Sequence, residues 1–453
     1  MYPVGEIAKI VGGDLLHGDQ ATPIRVVHDS REIREGDLFV ALRGARADGH
    51  AFLKEAFARG ACGALISDPG RSVDGTRNLI VVDDTLAALQ RLAATWREEL
   101  DATFVGITGS NGKTTVRALL AQLLRKPGGD ASVFSAPKNY NTEIGLPLAL
   151  LAMSEEAKIG LFELGAERPG DIALLADILA PQVGLITSVG PSHLASFGSV
   201  EAVAREKWSL VERLPTDGHA FINADSPELF RLAREHGGDC TSVGFERGDV
   251  RGRIEQESPR LTLAIDEPPM RLVSPLIGRH NAGNLLLAAV TAHHLDEPVS
   301  AIEERAQAFV PVPHRLQPIE APFGTILDDT YNANPVSTAE ALHALAKLGG
   351  PATLRVFVFG EMRDLGPDVD RYHHEILDLA LDLGVGAILP VGSRAVDACR
   401  ACSSHEIQIV DREELDRRIR ALCRDSDDSV VLVKGSRALE LERLVDELLR
   451  NEK

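Results

Sequence analysis

Phe104-Val105-Gly106-Ile107, followed by Thr108-Gly109-Ser110-Asn111-Gly112-Lys113-Thr114-Thr115, decides how the rest of the chain is read. The first four residues form a short apolar run that ends at a glycine-rich turn, which predicts a buried strand. Glycines let the backbone curl so that successive N–H groups face one anion, and the next helix presents its positive N-terminus to the same place. That helix is predicted from Val116, Leu119, Leu120, Leu123 and Leu124, which share one face. Lys113 is expected to neutralise the β- and γ-phosphates of ATP, and the Thr114 hydroxyl to ligate Mg²⁺. The generic phosphate loop carries glycine five residues before the glycine of its Gly-Lys pair, and here Ile107 stands at that position. The loop is therefore the variant T-G-x-x-G-K-T. An ordinary strand-to-helix turn is the alternative, but the ordered strand, turn, Lys-Thr-Thr and amphipathic helix favour nucleotide binding across Thr108 to Thr115.

Upstream, the first hundred residues read as a small mixed α/β unit. It closes with the helix TLAALQRLAATWREEL, whose Leu86, Leu89, Ala93, Trp96 and Leu100 are spaced three and four apart. Downstream, apolar runs at 159–164, 183–189 and 219–224 alternate with helical stretches, the pattern of a parallel sheet covered on both faces. A hairpin insertion is expected at 250–275. Four prolines between 309 and 322 mark the next boundary. Strands at 325–329, 355–360, 386–392 and 429–435 then predict a Rossmann-like unit. The expected class is α/β with three domains: a small mixed α/β domain at 1–100, a central phosphate-loop, parallel-sheet ATPase domain at 101–312, and a C-terminal Rossmann-like domain at 313–453.

The chain has 453 residues, enough for several domains, and its 44% hydrophobic and 25% charged residues suit a folded globular protein. A net charge of −19 argues against general nucleic-acid binding, which needs a basic stripe. The opening MYPVGEIAKI lacks a secretory pattern, and no run approaches the ~20 apolar residues of a membrane span. Five cysteines, odd in number, fit reduced thiols, so a cytoplasmic location without membrane insertion is expected. Cys399 and Cys402 have no second pair to complete a metal site.

Three residues beyond the loop carry chemistry. Glu163 ends the run IGLFEL and is placed to hold Mg²⁺ beside the loop; a solvated strand-end carboxylate is the alternative. His193, four residues past another strand, lies on a loop at the same sheet edge, which favours a catalytic or metal role over a plain surface one. Lys207, inside EAVAREKWSLVERL, reads by default as a solvated helix residue.

The segments ITGSNGKTT, NYNTEIGLPL, ELGAERPGDI, GPSHLASFGS, GRHNAGN, DDTYNANP, FGEMRDLG and VKGSRALELE, with HDSREIREGDLFVALRGARADGHAF near the start, resemble the Mur ligase family over nearly the whole chain. DDTYNANP and KGSR point to the branch that adds D-Ala-D-Ala to UDP-N-acetylmuramoyl-tripeptide. The resemblance implies an ATP- and Mg²⁺-dependent ligase that makes a C–N bond through an acyl phosphate, in peptidoglycan precursor synthesis. The first domain would grip the UDP-sugar, the second ATP, and the third would close with the dipeptide. Catalysis would fall to Lys113, His193 and a carbamylated Lys207; Thr114, Glu163, His193 and Lys207 would hold metal. Asn281, Arg315 and Asp329 look like adenine, γ-phosphate and ribose contacts. Ser30, Arg31, Asp48, Gly49 and His50 look like uridine and diphosphate contacts, and Asn139, Asn141 and Thr142 like diphosphate or sugar contacts. Asn332, Asn334, Lys434 and Ser436 would hold peptide carboxylates. Two departures stand out: Thr142 replaces a usual Asn, and Trp208-Ser209 replaces a usual Gly-Glu after the lysine.

Rival readings are a sister ligase adding a single amino acid, a folylpolyglutamate synthase, and a transport or motor ATPase of another class. The N-terminal DSR and DGH segments argue against the folate enzyme. Nothing in the sequence points to an oligomer, so a monomer acting on small molecules is expected.

Overall fold

The computed structural model describes residues 1–16, 18, 21–44, 47–71, 78–126, 131–137, 139–236, 239–424, 426 and 428–450. Among the described residues three sheets follow one another along the chain. The first has five strands in the order 14–16, 79–81, 63–66, 38–40, 26–27; only the 14–16 strand is antiparallel to its neighbour. The helix Thr85–Glu99 follows this sheet and shares a core with its Leu38, Val40, Leu65 and Ile80. Asp84 caps its start by accepting from the N–H groups of Leu86 and Ala87. Its buried face is Thr85, Ala88, Leu89, Leu92, Ala93 and Trp96, so Leu86, expected inside, lies off it. Trp96 donates its indole N–H to the Met153 carbonyl at 3.1 Å. That bond, and a core shared with Leu146, Leu150, Phe162 and Leu175, ties the first sheet's helix to the second sheet's covering layer.

The central sheet has nine strands. Strand Thr103–Thr108 lies between Ile159–Glu163 and Val183–Ile186, parallel to both. Ile107 is fully buried there, opposite Glu163 and Leu185. The glycine position of the generic loop is thus sheet core in this chain, and the turn begins later, at Gly109. The strand after Val183 stops at Ile186 rather than 189, because Thr187 and Ser188 turn out to grip the loop. The 250–275 segment extends the sheet: Val250–Gln256 pairs parallel to Cys240–Gly244, and Leu261–Ile265 and Met270–Ser274 complete an antiparallel edge. The expected hairpin is present as a three-stranded antiparallel run that continues the sheet edge, and its Leu261, Leu263 and Leu272 are wholly buried in one core with the helix Arg279–His294.

The third sheet runs 317–321, 324–329, 429–434, 354–360, 387–391, parallel except for its first pair. The 317–321 strand arises from the proline-rich stretch; Pro318, lacking an N–H, is tolerated because the strand is an edge. No helix among the described residues is long and apolar enough to cross a membrane.

Candidate active site

Parallel topology brings the ends of Thr103–Thr108, Ile159–Glu163 and Val183–Ile186 to one sheet edge, the usual ligand crevice of open α/β sheets. Gly109 and Gly112 have φ of +149° and +86°. A Cβ on Gly109 would sit 2.0 Å from Thr187 Oγ1, and one on Gly112 2.4 Å from Asn284 Oδ1. Only glycine fits either place. Thr187 Oγ1 donates to the Asn111 carbonyl at 2.5 Å, and the Asn111 N–H donates to Ser188 Oγ at 2.9 Å. The loop's shape is therefore imposed from the neighbouring strand.

Helix Lys113–Leu124 buries the five apolar residues expected of it. At its start Lys113 is partly buried, with Nζ donating to the Gly109 carbonyl at 2.6 Å. Burial lowers its pKa to about 8, Glu163 pulling it up and Arg315 pushing it down. Thr114 Oγ1 donates to Glu163 Oε2 at 3.1 Å, while Glu163 Oε1 accepts from Arg117 Nε at 2.8 Å. Arg117 went unmarked in the sequence, although it lies one helical turn beyond Lys113.

A cavity of about 220 Å³ opens beside the loop, lined by Gly109, Ser110 and Lys113 and also by His193 and Lys207. Asn141 and Thr142 line it as well. Lys207 is only 4% exposed, against the default solvated reading. Glu206 next to it accepts from the N–H groups of Gly170 and Ile172, both at 2.8 Å, and so pins helix Val200–Trp208 to the helix Asp171–Leu179. Trp208 is buried against His236, and Ser209 donates to the Glu206 carbonyl, so the unusual Trp-Ser pair closes the helix without disturbing Lys207. Burial, then Lys113, lowers the Lys207 pKa to about 7. Half of its amine is neutral near that pH. His193 sits in the left-handed region, φ +51°, and burial with Lys113 nearby lowers its pKa, favouring neutral imidazole. Thr142 Oγ1 accepts from the Gly145 N–H at 3.2 Å and keeps its own hydrogen for donation.

A second cavity, about 190 Å³, lies between the loop and the third sheet. Ser110 to Thr115, Asn139, Glu163, Asn281, Arg315, Asp329, Asn332, Asn334 and Lys434 all border it. Arg315 stacks 3.8 Å over Tyr331 and approaches Thr114 Oγ1 at 3.4 Å. Asn334 caps helix Pro335–Ala346 and donates to Asn111 Oδ1 at 2.7 Å, joining that helix to the loop. Asp329 and Lys434 pair at 2.6 Å, and Lys434 also donates to the Asn332 carbonyl. Asn281 donates to the Ile277 carbonyl and is not the cap of its helix, which is Gly278.

Four expected contacts are placed differently. Thr108 is sheet core, its hydroxyl donating to the Leu164 carbonyl. Ser436 is buried and outside the lining of this cavity. His50 is buried, with Nδ1 2.6 Å from Asp48 Oδ1 and Nε2 accepting the Ser67 N–H, so neither nitrogen is left for a ligand. Asp48 accepts from the His50 N–H as well, and the pair shapes a turn. Ser30, Arg31 and Gly49 do line a cavity of about 770 Å³ with Phe52 and Ile144, well removed in sequence from the loop.

Such a fold and crevice, with His193 and the buried Lys207 beside the phosphate loop, define a phosphate-loop nucleotide enzyme of the nucleotide-driven ligase class. The chain belongs to the Mur ligase family. Models described as the Mur ligase middle domain, the glutamate ligase domain and the Mur ligase family catalytic domain match residues 107–292, 314–437 and 25–97. The UDP-N-acetylmuramoyl-tripeptide–D-alanyl-D-alanine ligase of Escherichia coli K12 is 32% identical over 99% of this chain and 98% of its own. A crystal structure of MurF from Acinetobacter baumannii superposes with a TM-score of 0.89 at 27% identity, covering 99% of both chains. MurF of Thermotoga maritima in complex with ADP does so at 0.83 and 28%, covering 94% of this chain and 96% of that one.

Proposed function

We propose that this chain is an ATP-dependent ligase that joins D-alanyl-D-alanine to UDP-N-acetylmuramoyl-tripeptide, releasing ADP and phosphate, in peptidoglycan precursor synthesis. The observation that carries the reading is one crevice holding Lys113 with His193 and the buried Lys207. A pure ATPase needs the first; the other two give a place where a carboxylate can meet a triphosphate. Two unit charges of like sign ~4 Å apart repel by about 4 kcal/mol at an effective dielectric near 20, so cationic groups must offset that.

In this reading Lys113 and the loop N–H groups hold the β- and γ-phosphates, and Arg315, fixed by Tyr331, reaches the γ-phosphate from the third sheet. Asn281 and Asp329 flank the nucleoside. The cavity of Ser30, Arg31 and Gly49 takes the uridine end, and Asn139, Asn141 and Thr142 lie along the way to the crevice. Asn332, Asn334 and Lys434 border the remaining space, where the dipeptide would enter.

The residues present also fit Mg²⁺. Thr114 Oγ1 and Glu163 Oε2, 3.1 Å apart, are hard oxygen donors of the kind this ion takes beside phosphates. His193, with its imidazole tending to neutral, suits a second ion beside Lys207 once that lysine is carbamylated. A bound cation would neutralise charge developing on the transferred phosphoryl group. Lys207 meets the chemical condition for carbamylation, a neutral buried amine able to add CO₂.

The acceptor's carboxylate oxygen attacks the γ-phosphorus and the bond to the β–γ bridging oxygen breaks, giving ADP and an acyl phosphate. The dipeptide amine then attacks the carbonyl carbon and phosphate leaves. Water must stay out of the site, and the Asn334–Asn111 and Arg315–Thr114 contacts hold residues of the C-terminal part against the phosphate loop. The work is assigned to a single chain in the cytoplasm, where free thiols such as those of its five cysteines persist.

Phosphate release is expected only when UDP-N-acetylmuramoyl-tripeptide and D-Ala-D-Ala are both supplied with ATP. Equal release without the dipeptide, in a coupled assay, would count against ligation. Faster product formation with a single amino acid and a shorter acceptor would favour the sister ligase.

A further inference from the structure

Both oxygens of Glu163 are engaged by protein: Oε1 by Arg117 Nε at 2.8 Å, Oε2 by the Thr114 hydroxyl at 3.1 Å. Arg117 is itself fixed, since it also donates through Nη1 to Ser135 Oγ on the edge strand beyond. The two side chains keep 12% and 9% exposure, so their charges act in a poorly screened setting. Lys113 and Arg315 feel the same carboxylate electrostatically. Three cations therefore surround one anion, a field that draws in a triphosphate and repels a bare divalent cation. Lys113 bonds the Gly109 carbonyl and Arg315 approaches Thr114, whereas Arg117 pairs with the carboxylate directly.

We propose that Arg117 is a positioning residue that times metal loading. It neutralises and orients Glu163 so that a divalent cation enters with the nucleotide and not ahead of it. The Thr114 hydroxyl gives its hydrogen to Glu163 and keeps its lone pairs for the incoming ion. The inference rests on reading Glu163 as a group on the cation's side of the site.

The test is a titration of Mn²⁺ into the nucleotide-free, full-length protein, with the free ion read by electron paramagnetic resonance. Arg117→Gln keeps a donor but removes the charge, and is expected to bind Mn²⁺ roughly tenfold or more tightly than the natural chain. Arg117→Lys, with the charge kept, should stay within about twofold. Adding Glu163→Gln to Arg117→Gln should erase the gain. A merely loosened fold tightens nothing, so unchanged or weaker binding in Arg117→Gln overturns the proposal, as does a gain that survives Glu163→Gln. Should Arg117→Gln fail to fold by circular dichroism, Glu163→Gln alone decides. Nucleotide-free Mn²⁺ binding must then equal that of the natural chain, and a drop overturns the proposal. With ADP added, undiminished Mn²⁺ binding by Glu163→Gln would instead remove the underlying reading of Glu163.

Discussion

Replacing Lys207 by alanine is expected to lower phosphate release roughly a thousandfold, the range for losing one preorganised electrostatic group in a water-poor site. Acetate or formate should restore part of the rate, because a small carboxylate can occupy the space that the carbamate would fill. The expectation comes from burial: an amine at 4% exposure, tied in place through Glu206 and with its pKa lowered to about 7, is poorly explained as a solvated helix residue. A pH dependence follows. Carbamate forms from the neutral amine, and protonation dominates below the pKa. Activity at limiting bicarbonate should therefore fall as pH drops below about 7, and added bicarbonate should recover it. Steady-state phosphate release over pH, with and without bicarbonate, checks this; full activity in the unrescued alanine variant would remove Lys207 from the chemistry.

Lys113→Ala is expected to be as damaging, again by roughly a thousandfold, since phosphoryl transfer relies on positioning and charge more than on covalent help from the protein. The loss should fall on both nucleotide affinity and turnover, because Lys113 meets the phosphates in the ground state and in the transition state alike. Carboxylates should not rescue it. The two variants are thereby separable: rescue belongs to the position where an anion stood, and a missing cation cannot be replaced by acetate. Rates with nucleotide held at saturation, beside ADP binding by calorimetry, separate the two parts.

Much of this was legible in the sequence, for physical reasons. The loop is local: strand, glycines, Lys-Thr-Thr and an apolar helix face lie within about twenty residues, and each constrains the next. The alternation of apolar runs with helical stretches likewise announced parallel sheets. Lys207 was not legible from composition, because its burial depends on Glu206 reaching Gly170 and Ile172, more than thirty residues away. Arg117 escaped for the same reason; its partners Glu163 and Ser135 belong to two other strands. His50 has both ring nitrogens engaged by Asp48 and Ser67, an arrangement that no spacing reveals. Leu86 is only partly buried, because the buried face of its helix is centred on Ala88, Leu89 and Leu92. The proline-rich stretch hid a strand, since edge pairing tolerates a residue that central pairing excludes.

The account turns on a substrate carboxyl group meeting the γ-phosphate in the crevice of Lys113, His193 and Lys207. An acceptor labelled with ¹⁸O in both terminal carboxyl oxygens, turned over with ATP and D-Ala-D-Ala, follows that oxygen directly by mass spectrometry of the released phosphate. One ¹⁸O per phosphate is the predicted result, because the carboxyl oxygen that attacks phosphorus departs with it when the amide forms. Phosphate released without label, while the amide product accumulates, would contradict the acyl phosphate and with it the purpose assigned to the crevice.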